Sequence, residues 1–130
     1  MKAVYYEKYG NISVLKHGDI DDPKKVLDKE VLIKVNFFSL NPLDYKLRNG
    51  MLKLMTFRTF PRTTGSDFSG EIIAKGESVN NFEIGEKVFG FLSQLNEGTS
   101  SQFIEVNESI LSKAPSNIDI VKSAAVPLAE

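Results

Sequence analysis

Cysteine is absent from the sequence, and histidine occurs once, at His17. Without cysteine the chain forms no disulfide and no thiolate metal site. A catalytic zinc ion would need carboxylates for nearly all of its ligands, so we expect no zinc. The chain also has no apolar run of the roughly 20 residues that span a bilayer, and no apolar signal-peptide block near Met1. These absences predict an intracellular, cytoplasmic protein with no membrane partner.

The sequence has no excess of charge of either sign. Sixteen Lys and Arg residues are scattered among 17 Asp and Glu, which gives a net charge of −1. Nucleic acid is therefore not an expected partner, because binding to phosphates needs a basic patch. A hydrophobic content of 42% and a charged content of 25% are typical of a soluble globular domain. The length of 130 residues suits a single core.

Short β-rich segments separated by turns dominate the chain. The clearest is 30–38, where Val31, Ile33 and Val35 alternate with more polar neighbours and predict one buried face. The predicted strands are 2–6, 13–20, 30–38, 67–74, 87–91, 101–106 and 110–114. We expect Gly70, inside a strand, to mark a bulge or a close backbone approach. This spacing predicts a mainly β fold, a barrel or rolled sheet with minor helix.

The few helical signals lie at turns. A C-terminal helix is predicted after Pro115, with Ser116 or Asn117 as its N-cap and Asp119 in its first turn. Segment 51–60 has no clean period, and it remains open between a flexible loop on the substrate side and a short helix. Its apolar residues also leave open a substrate lip or an ordinary core; they are Met51, Leu54, Met55 and Phe57.

Two glycine-framed polar turns are the candidates for a site. The first follows strand 30–38 at Asn41-Pro42 and continues into a helical turn that Gly50 ends. The second spans 61–70, about 20 residues further on. Polar groups held on rigid turns at the end of a strand suit a small-molecule site. We expect the two turns to line one wall of a cleft whose other wall lies outside these residues, because the apolar end at 124–130 suggests that the natural protein continues.

A series of segments carries a family resemblance that covers nearly the whole chain. In order, they read MKAVYYEKYG, EVLIKV, NPLDYKLRNG, TGSDFSGEI, VNNFEIGEKVFGF and AAVPLAE. The series resembles the N-terminal GroES-like domain of medium-chain dehydrogenases/reductases, and within them the zinc-free quinone oxidoreductase branch. The resemblance implies a partly closed GroES-like β-barrel with short helices at 1–122. It also implies that 123–130 begin the connection to a C-terminal Rossmann domain, which is missing from these residues.

The resemblance also explains the lack of a zinc site. Zinc-dependent relatives place a cysteine in the first turn and a His-Glu pair after the glycine of the second. Here the corresponding positions are Asn41 and, after Gly65, Ser66-Asp67. Asparagine and serine are poor zinc ligands, so the resemblance with these departures implies a zinc-independent reaction.

The resemblance implies NADPH as the cofactor, bound mainly by the missing domain, since no G-x-G-x-x-G motif occurs in the chain. The expected activity is hydride transfer to a quinone or an α,β-unsaturated carbonyl by a full-length homodimer, with residues 1–130 inactive alone. The catalytic candidates are Asn41, Tyr45 and Ser66, and the cofactor-binding candidates are Asn41, Pro42, Asp44 and Lys46.

Structural explanations compete with several of these roles. Asn41 before Pro42 is also ordinary turn chemistry, Asp44 suits the first turn of a helix, and Lys46 could be a solvated surface residue. Asp67 is expected to be buried and to brace its turn. Two other functions stay open: a stand-alone GroES-like binding module of the co-chaperonin type, and a nucleotide-binding redox sensor without turnover.

Overall fold

The computed structural model describes residues 1–56, 59–93 and 97–127. Within these ranges the strands are β1 (Lys2–Tyr6), β2 (Lys16–Asp19), β3 (Glu30–Ser39), β4 (Arg62–Thr63), β5 (Asp67–Lys75), β6 (Lys87–Phe91), β7 (Phe103–Asn107) and β8 (Leu111–Lys113). The α-helices are α1 (Pro42–Arg48) and α2 (Ile120–Ser123), and 3₁₀ turns occupy Ile12–Val14 and Glu108–Ile110. The expectation of a mainly β fold with short helices is confirmed. None of the helices in these ranges has the length and apolarity to cross a membrane.

The strands form two antiparallel sheets. In the described residues one sheet has the order β2-β1-β4 and the other the order β7-β3-β5-β6-β8. An isolated bridge between Ala3 and Ser101 joins them. Strands β7 and β8 stay at opposite edges of the larger sheet, so the barrel is open rather than closed.

The core lies on the larger sheet. Val31 and Ile33 of β3 are fully buried, as their alternation predicts, and so are Phe68 and Ile72 of β5 and Val88 of β6. Full burial of an aliphatic or aromatic side chain of this size stabilises the fold by about 1.5–3 kcal/mol. The central pair β3–β5 is therefore the rigid base from which the two polar turns project.

Two register shifts interrupt the β3–β5 pairing, between Leu32 and Ile33 and between Val35 and Phe37. The second leaves Asn36 as an extra residue in β3 beside the pair Val35–Gly70. A Cβ atom on Gly70 would lie 2.3 Å from the carbonyl oxygen of Lys34, so the close approach expected at this glycine is confirmed. The bulge also brings Ser39 opposite Asp67 at the end of the pair.

Two local predictions were wrong, and the structure decides one alternative that the sequence left open. Segment 13–20 is not one strand, because Asn11 caps a 3₁₀ turn at Ile12–Val14 before β2 begins. Asp119, rather than Ser116 or Asn117, is the N-cap of α2, since its side chain accepts a hydrogen bond from Val121 N at 3.0 Å. Residues 51–56 form successive turns rather than a helix; Phe57, at the end of the predicted lip, lies outside the described residues.

Helix α2 packs against the strand that carries the second polar turn. Ser69 of β5 is fully buried and its hydroxyl donates to the Ile120 carbonyl oxygen at 2.6 Å. This bond joins the start of α2 to β5 at Ser69, which is two residues along the strand from Asp67. The predicted domain boundary near residue 122 stays a prediction, and residues 128–130 lie outside the described part of the chain.

Candidate active site

The first polar turn is the start of α1. Asn41 is its N-cap in an extended conformation, and Pro42 is the first helical residue. Proline disfavours the helical conformation of the residue before it, and its fixed φ suits the first helical position. The dipeptide therefore changes the backbone from extended to helical between β3 and α1, and it fixes the position of the Asn41 Cα atom.

Asp44 links the first turn to the second. Its side chain is 4% exposed. One carboxylate oxygen, Oδ1, accepts from Gly65 N at 2.9 Å, and the other accepts from Asn41 N. Gly65 has a φ of +83°, and a Cβ there would lie 2.5 Å from Thr99 Oγ1, so this close approach requires glycine. The carboxylate of Asp44 thus joins two turns that are 21 residues apart.

Asp67 provides a second link between the turns. Its side chain is 1% exposed. Its Oδ2 accepts from Ser39 Oγ at 2.8 Å and from Asn41 Nδ2 at 2.7 Å. Its Oδ1 is buried and has no hydrogen-bond partner in the described residues. The expectation that Asp67 is buried and braces its turn agrees with these contacts.

The Asn41 side-chain amide keeps donor capacity beyond its bond to Asp67. Nδ2 lies 2.7 Å from Asp67 Oδ2 and 3.4 Å from Ser39 Oγ, which are themselves 2.8 Å apart. The two acceptors therefore lie on one side of Nδ2 and share one N–H bond. The other N–H bond makes no hydrogen bond with the described part of the chain, so it is available to a ligand at this partly buried position.

Helix α1 separates the remaining candidates into two faces. Asp44 and Leu47 are buried, whereas Pro42, Tyr45 and Lys46 are exposed. The phenol of Tyr45 belongs to a side chain that is 45% exposed. Tyr45 and Lys46 thus present polar groups on the exposed face of α1, while the carboxylate of Asp44 is engaged with backbone amides. The geometry favours the helix-start role of Asp44 over direct contact with a cofactor.

Ser66 does not face open space. Its exposure is 0%, and its carbonyl oxygen accepts from Leu92 N at 2.8 Å. The expectation that its hydroxyl faces a cleft disagrees with this burial. Asn41 and Ser66 nevertheless belong to the same pair of linked turns.

Ser39 and Thr99 are structural members of the site that sequence reasoning missed. Thr99 is fully buried and its hydroxyl donates to the Asp67 carbonyl oxygen at 3.1 Å. Ser39 lies opposite Asp67 only because of the bulge at Asn36. The position of Ser39 at the end of a clearly predicted strand indicated that it lies near the first turn. Its contact with Asp67 could be predicted only from the pairing register of β3 and β5.

The residues of the two turns do not fit a zinc ion. Asn41 turns the donor side of its amide toward Asp67, so the pair is joined by a hydrogen bond rather than arranged with lone pairs converging on a cation. Among the described ranges, no three His, Asp or Glu side chains are grouped closely enough to hold a metal ion. We therefore derive no step through zinc.

The groups with shifted pKa values, and a surface groove, lie elsewhere. A groove of about 560 Å³ runs between the smaller sheet and β7, and its lining includes Tyr5, Asp19, Phe103 and Glu105. Burial, together with the nearby carboxylates of Glu30 and Glu97, raises the pKa of Glu105. None of the groove's lining residues belongs to the Asn41–Asp67 pair.

The structure is an open, mainly β domain with two linked polar turns, and comparison with known proteins identifies its family. The alcohol dehydrogenase GroES-like domain family matches residues 27–116. The chain belongs to this family, within the medium-chain dehydrogenase/reductase superfamily.

Individual relatives agree with the resemblance to quinone oxidoreductases. The chain is 33% identical to a chloroplast quinone-oxidoreductase homolog of Spinacia oleracea, over 99% of this chain and 39% of that protein. It is 33% identical to the chloroplast NADPH-dependent alkenal/one oxidoreductase of Arabidopsis thaliana, over 99% of this chain and 35% of that protein. The solved quinone oxidoreductase of Coxiella burnetii superimposes with a TM-score of 0.88 at 33% identity, over 99% of this chain and 41% of that one.

The chain thus spans about two-fifths of the length of the relatives it matches. Because two of these relatives are chloroplast proteins, the expected cytoplasmic location stays a prediction.

Proposed function

We propose that the chain is the substrate-side domain of a longer, NADPH-dependent and zinc-independent oxidoreductase that reduces a quinone or an α,β-unsaturated carbonyl. The names of the spinach and Arabidopsis relatives support the reaction class and the nucleotide. The observation that carries the proposal is the Asn41 amide, which is fixed between two turns and keeps one N–H bond for a ligand. The family resemblance puts the metal ligand of zinc-dependent relatives at or near this position.

Reduction of such a substrate places negative charge on its carbonyl oxygen. The remaining N–H bond of Asn41 is a preorganised donor for that oxygen, and donors of this kind stabilise developing charge without metal. NADPH, when bound, supplies the hydride. One proton from water or a weak acid completes the reaction, so that a quinone becomes a hydroquinone or an enone becomes a saturated carbonyl. The exposed phenol of Tyr45 is the proposed weak acid.

The exposed face of α1 is the proposed contact of this domain with the nucleotide. Pro42 would pack against it, and the ammonium of Lys46 would pair with a ribose hydroxyl or a phosphate oxygen. The chain's own residues fit this limited role, because both side chains are exposed on the helix that Asn41 begins. We assign no direct nucleotide contact to Asp44 and no substrate contact to Ser66, since both side chains are buried.

An apolar surface follows α1 and suits a quinone or enone. Met51, Leu54 and Met55 are 66%, 88% and 71% exposed. Exposed apolar side chains grouped in this way commonly mark an interaction surface. We propose that they form the apolar lip of the substrate cleft, together with the part of the protein that lies outside these residues.

Steady-state kinetics of the longer protein tests the proposal, with NADPH and either 1,4-naphthoquinone or 4-hexen-3-one as probes. Asn41→Leu removes the donor at nearly constant volume and should lower kcat about 10²-fold, the usual effect of losing one such donor. Asn49→Leu, the same change at the exposed other end of α1, is the matched control and should leave kcat near that of the unaltered protein. Dialysis against EDTA should not lower the rate.

Each result that would contradict the proposal indicates a different alternative. Equal rates for the two variants would refute the role of Asn41. Nucleotide binding without turnover of either probe would indicate a redox sensor, and a heptameric native mass would indicate a module of the co-chaperonin type. We expect a homodimer, which the same native mass measurement tests.

A further inference from the structure

Asp67 is an unusual carboxylate for its surroundings. It is 1% exposed, and no Lys, Arg or His side chain within the described ranges forms an ion pair with it. Burial of a carboxylate is costly unless hydrogen bonds compensate for the lost water. The side-chain donors that Asp67 has are Ser39 and Asn41, and both reach the same oxygen, Oδ2. A feature this costly at a candidate site calls for an explanation beyond packing.

The backbone places these three residues together. Cross-strand pairing sets Ser39 directly opposite Asp67 at the end of β3 and β5. Two residues later Asn41 starts α1, where Pro42 restricts its backbone and Asp44 accepts from its N–H. The Asn41 backbone is therefore fixed independently of its side chain. The remaining variable is the rotation of the side-chain amide, whose two ends have different partners: the side chain accepts from the Asp44 N–H in a capping box, and Nδ2 donates to Asp67 Oδ2.

We propose that Asp67 is a positioning residue that sets this rotation, so that Asn41 presents its second N–H bond to the substrate oxygen. A carboxylate only accepts hydrogen bonds, so the amide must turn its nitrogen toward Asp67. The opposite rotamer would place the amide oxygen against the carboxylate. The inference rests on the proposed function for the identity of the ligand, a carbonyl oxygen, but the orientation itself follows from the contacts of Asp67.

Ser39 supports the same orientation from the same side as Asp67. Its hydroxyl donates to Asp67 Oδ2 at 2.8 Å, and its oxygen lies 3.4 Å from Asn41 Nδ2. Because the second distance is long, Asp67 is the principal partner of the amide and Ser39 a minor one. Loss of Ser39 should therefore disturb Asn41 much less than loss of Asp67, which makes Ser39 a matched control.

The direct test is NMR spectroscopy of the unaltered protein and three variants, without substrate. A scalar coupling across the hydrogen bond should connect the side-chain nitrogen of Asn41 with the carboxyl carbon of Asp67. Ser39→Ala should keep the coupling. Asp67→Ala should lose it and increase the motion of the Asn41 amide. Asp67→Asn should keep that amide rigid, because its side-chain oxygen can still accept. The absence of the coupling in the unaltered protein would overturn the proposal.

Kinetics of the longer protein, with NADPH and 1,4-naphthoquinone, gives the second readout. Asp67→Ala should lower kcat about 10-fold or more, since a small misplacement of a catalytic group has a large effect on rate. Asp67→Asn should restore most of kcat, whereas KM should change little in either variant. If Asp67 had only a structural role, its loss would lower the fraction of folded protein, and Asp67→Asn would not restore kcat at an unchanged KM. Equal kcat values for Asp67→Ala and Asp67→Asn would overturn the positioning role.

The two proposals fail separately. An unaltered protein that shows the coupling but reduces neither probe overturns the proposed function alone. An active protein in which Asp67→Ala leaves kcat and the Asn41 amide unchanged overturns the positioning role alone.

Discussion

Replacement of Asp44 by alanine should separate the two polar turns. The Asp44 carboxylate accepts from the backbone N–H groups of Asn41 and Gly65, and the side chain is 4% exposed. Hydrogen bonds to a charged group contribute about 1.5–3 kcal/mol each, and a buried donor left unpaired costs about 1–3 kcal/mol. Because the two bonds share one side chain, the effects do not add in full. We expect Asp44→Ala to lower the free energy of unfolding by about 3–4 kcal/mol.

Asp119 offers a matched comparison. It also places a carboxylate at the start of a helix and accepts from Val121 N at 3.0 Å, but it is exposed and joins no second segment. Asp119→Ala should therefore cost about 1 kcal/mol, the usual value for an N-cap. Asp44→Asn should be intermediate, because one side-chain oxygen remains as an acceptor.

Urea denaturation followed by circular dichroism measures all three variants. With a slope of about 1–3 kcal/mol per molar urea, Asp44→Ala should move the midpoint by about 1–4 M, and Asp119→Ala by only about 0.3–1 M. The slopes should stay equal, so that the midpoints report stability. Similar midpoints for Asp44→Ala and Asp119→Ala would refute the view that Asp44 joins the two turns.

Three further predictions concern the sheet, the groove and the extent of the active unit. Gly70→Ala should lower the free energy of unfolding by more than the roughly 1–3 kcal/mol typical of overpacking, because its Cβ would lie 2.3 Å from a carbonyl oxygen. In the control Gly85→Ala the new Cβ meets no atom within 4 Å, so only the strain of the positive φ should destabilise the protein. Thermal unfolding compares the two variants. Burial raises the pKa of Glu105, so the folded protein holds that proton more tightly and loses stability as the pH rises above about 4.3, the ordinary glutamate value. Glu105→Gln should therefore raise the free energy of unfolding at pH 7 and not at pH 3. An equal increase at both pH values would contradict this prediction. Residues 1–130 alone should not oxidise NADPH in the presence of 1,4-naphthoquinone, and a measurable rate above the enzyme-free background would contradict the two-domain proposal.

The strands were predictable where local pattern and burial agree. The alternation of Val31 and Ile33 identified β3, and the turn residues on either side set its limits within one residue. The start of α1 was equally clear, because Asn41-Pro42 restricts the backbone on both sides of the peptide bond. Local rules suffice when no distant segment competes with them.

The contacts within the site were not predictable, because they depend on register. Simple alternation would place Ser39 on the same face as Val35. The extra residue Asn36 reverses this relation: Val35 pairs with Gly70 and Ser39 with Asp67, which lie on opposite faces of β5. No residue pattern in the local sequence of β3 predicts the bulge at Asn36. Likewise, the burial of Ser66 results from packing by distant strands.

The hydrogen bond between Ser69 and the start of α2 has a mechanical consequence. It fastens the last described helix to β5 at a point two residues from the buried carboxylate of Asp67. Movement of α2 would therefore act directly on β5, the strand whose Asp67 holds the side-chain amide of Asn41. Ser69→Ala would remove this connection while leaving the hydrogen bonds of Asp44 and Asp67 in place.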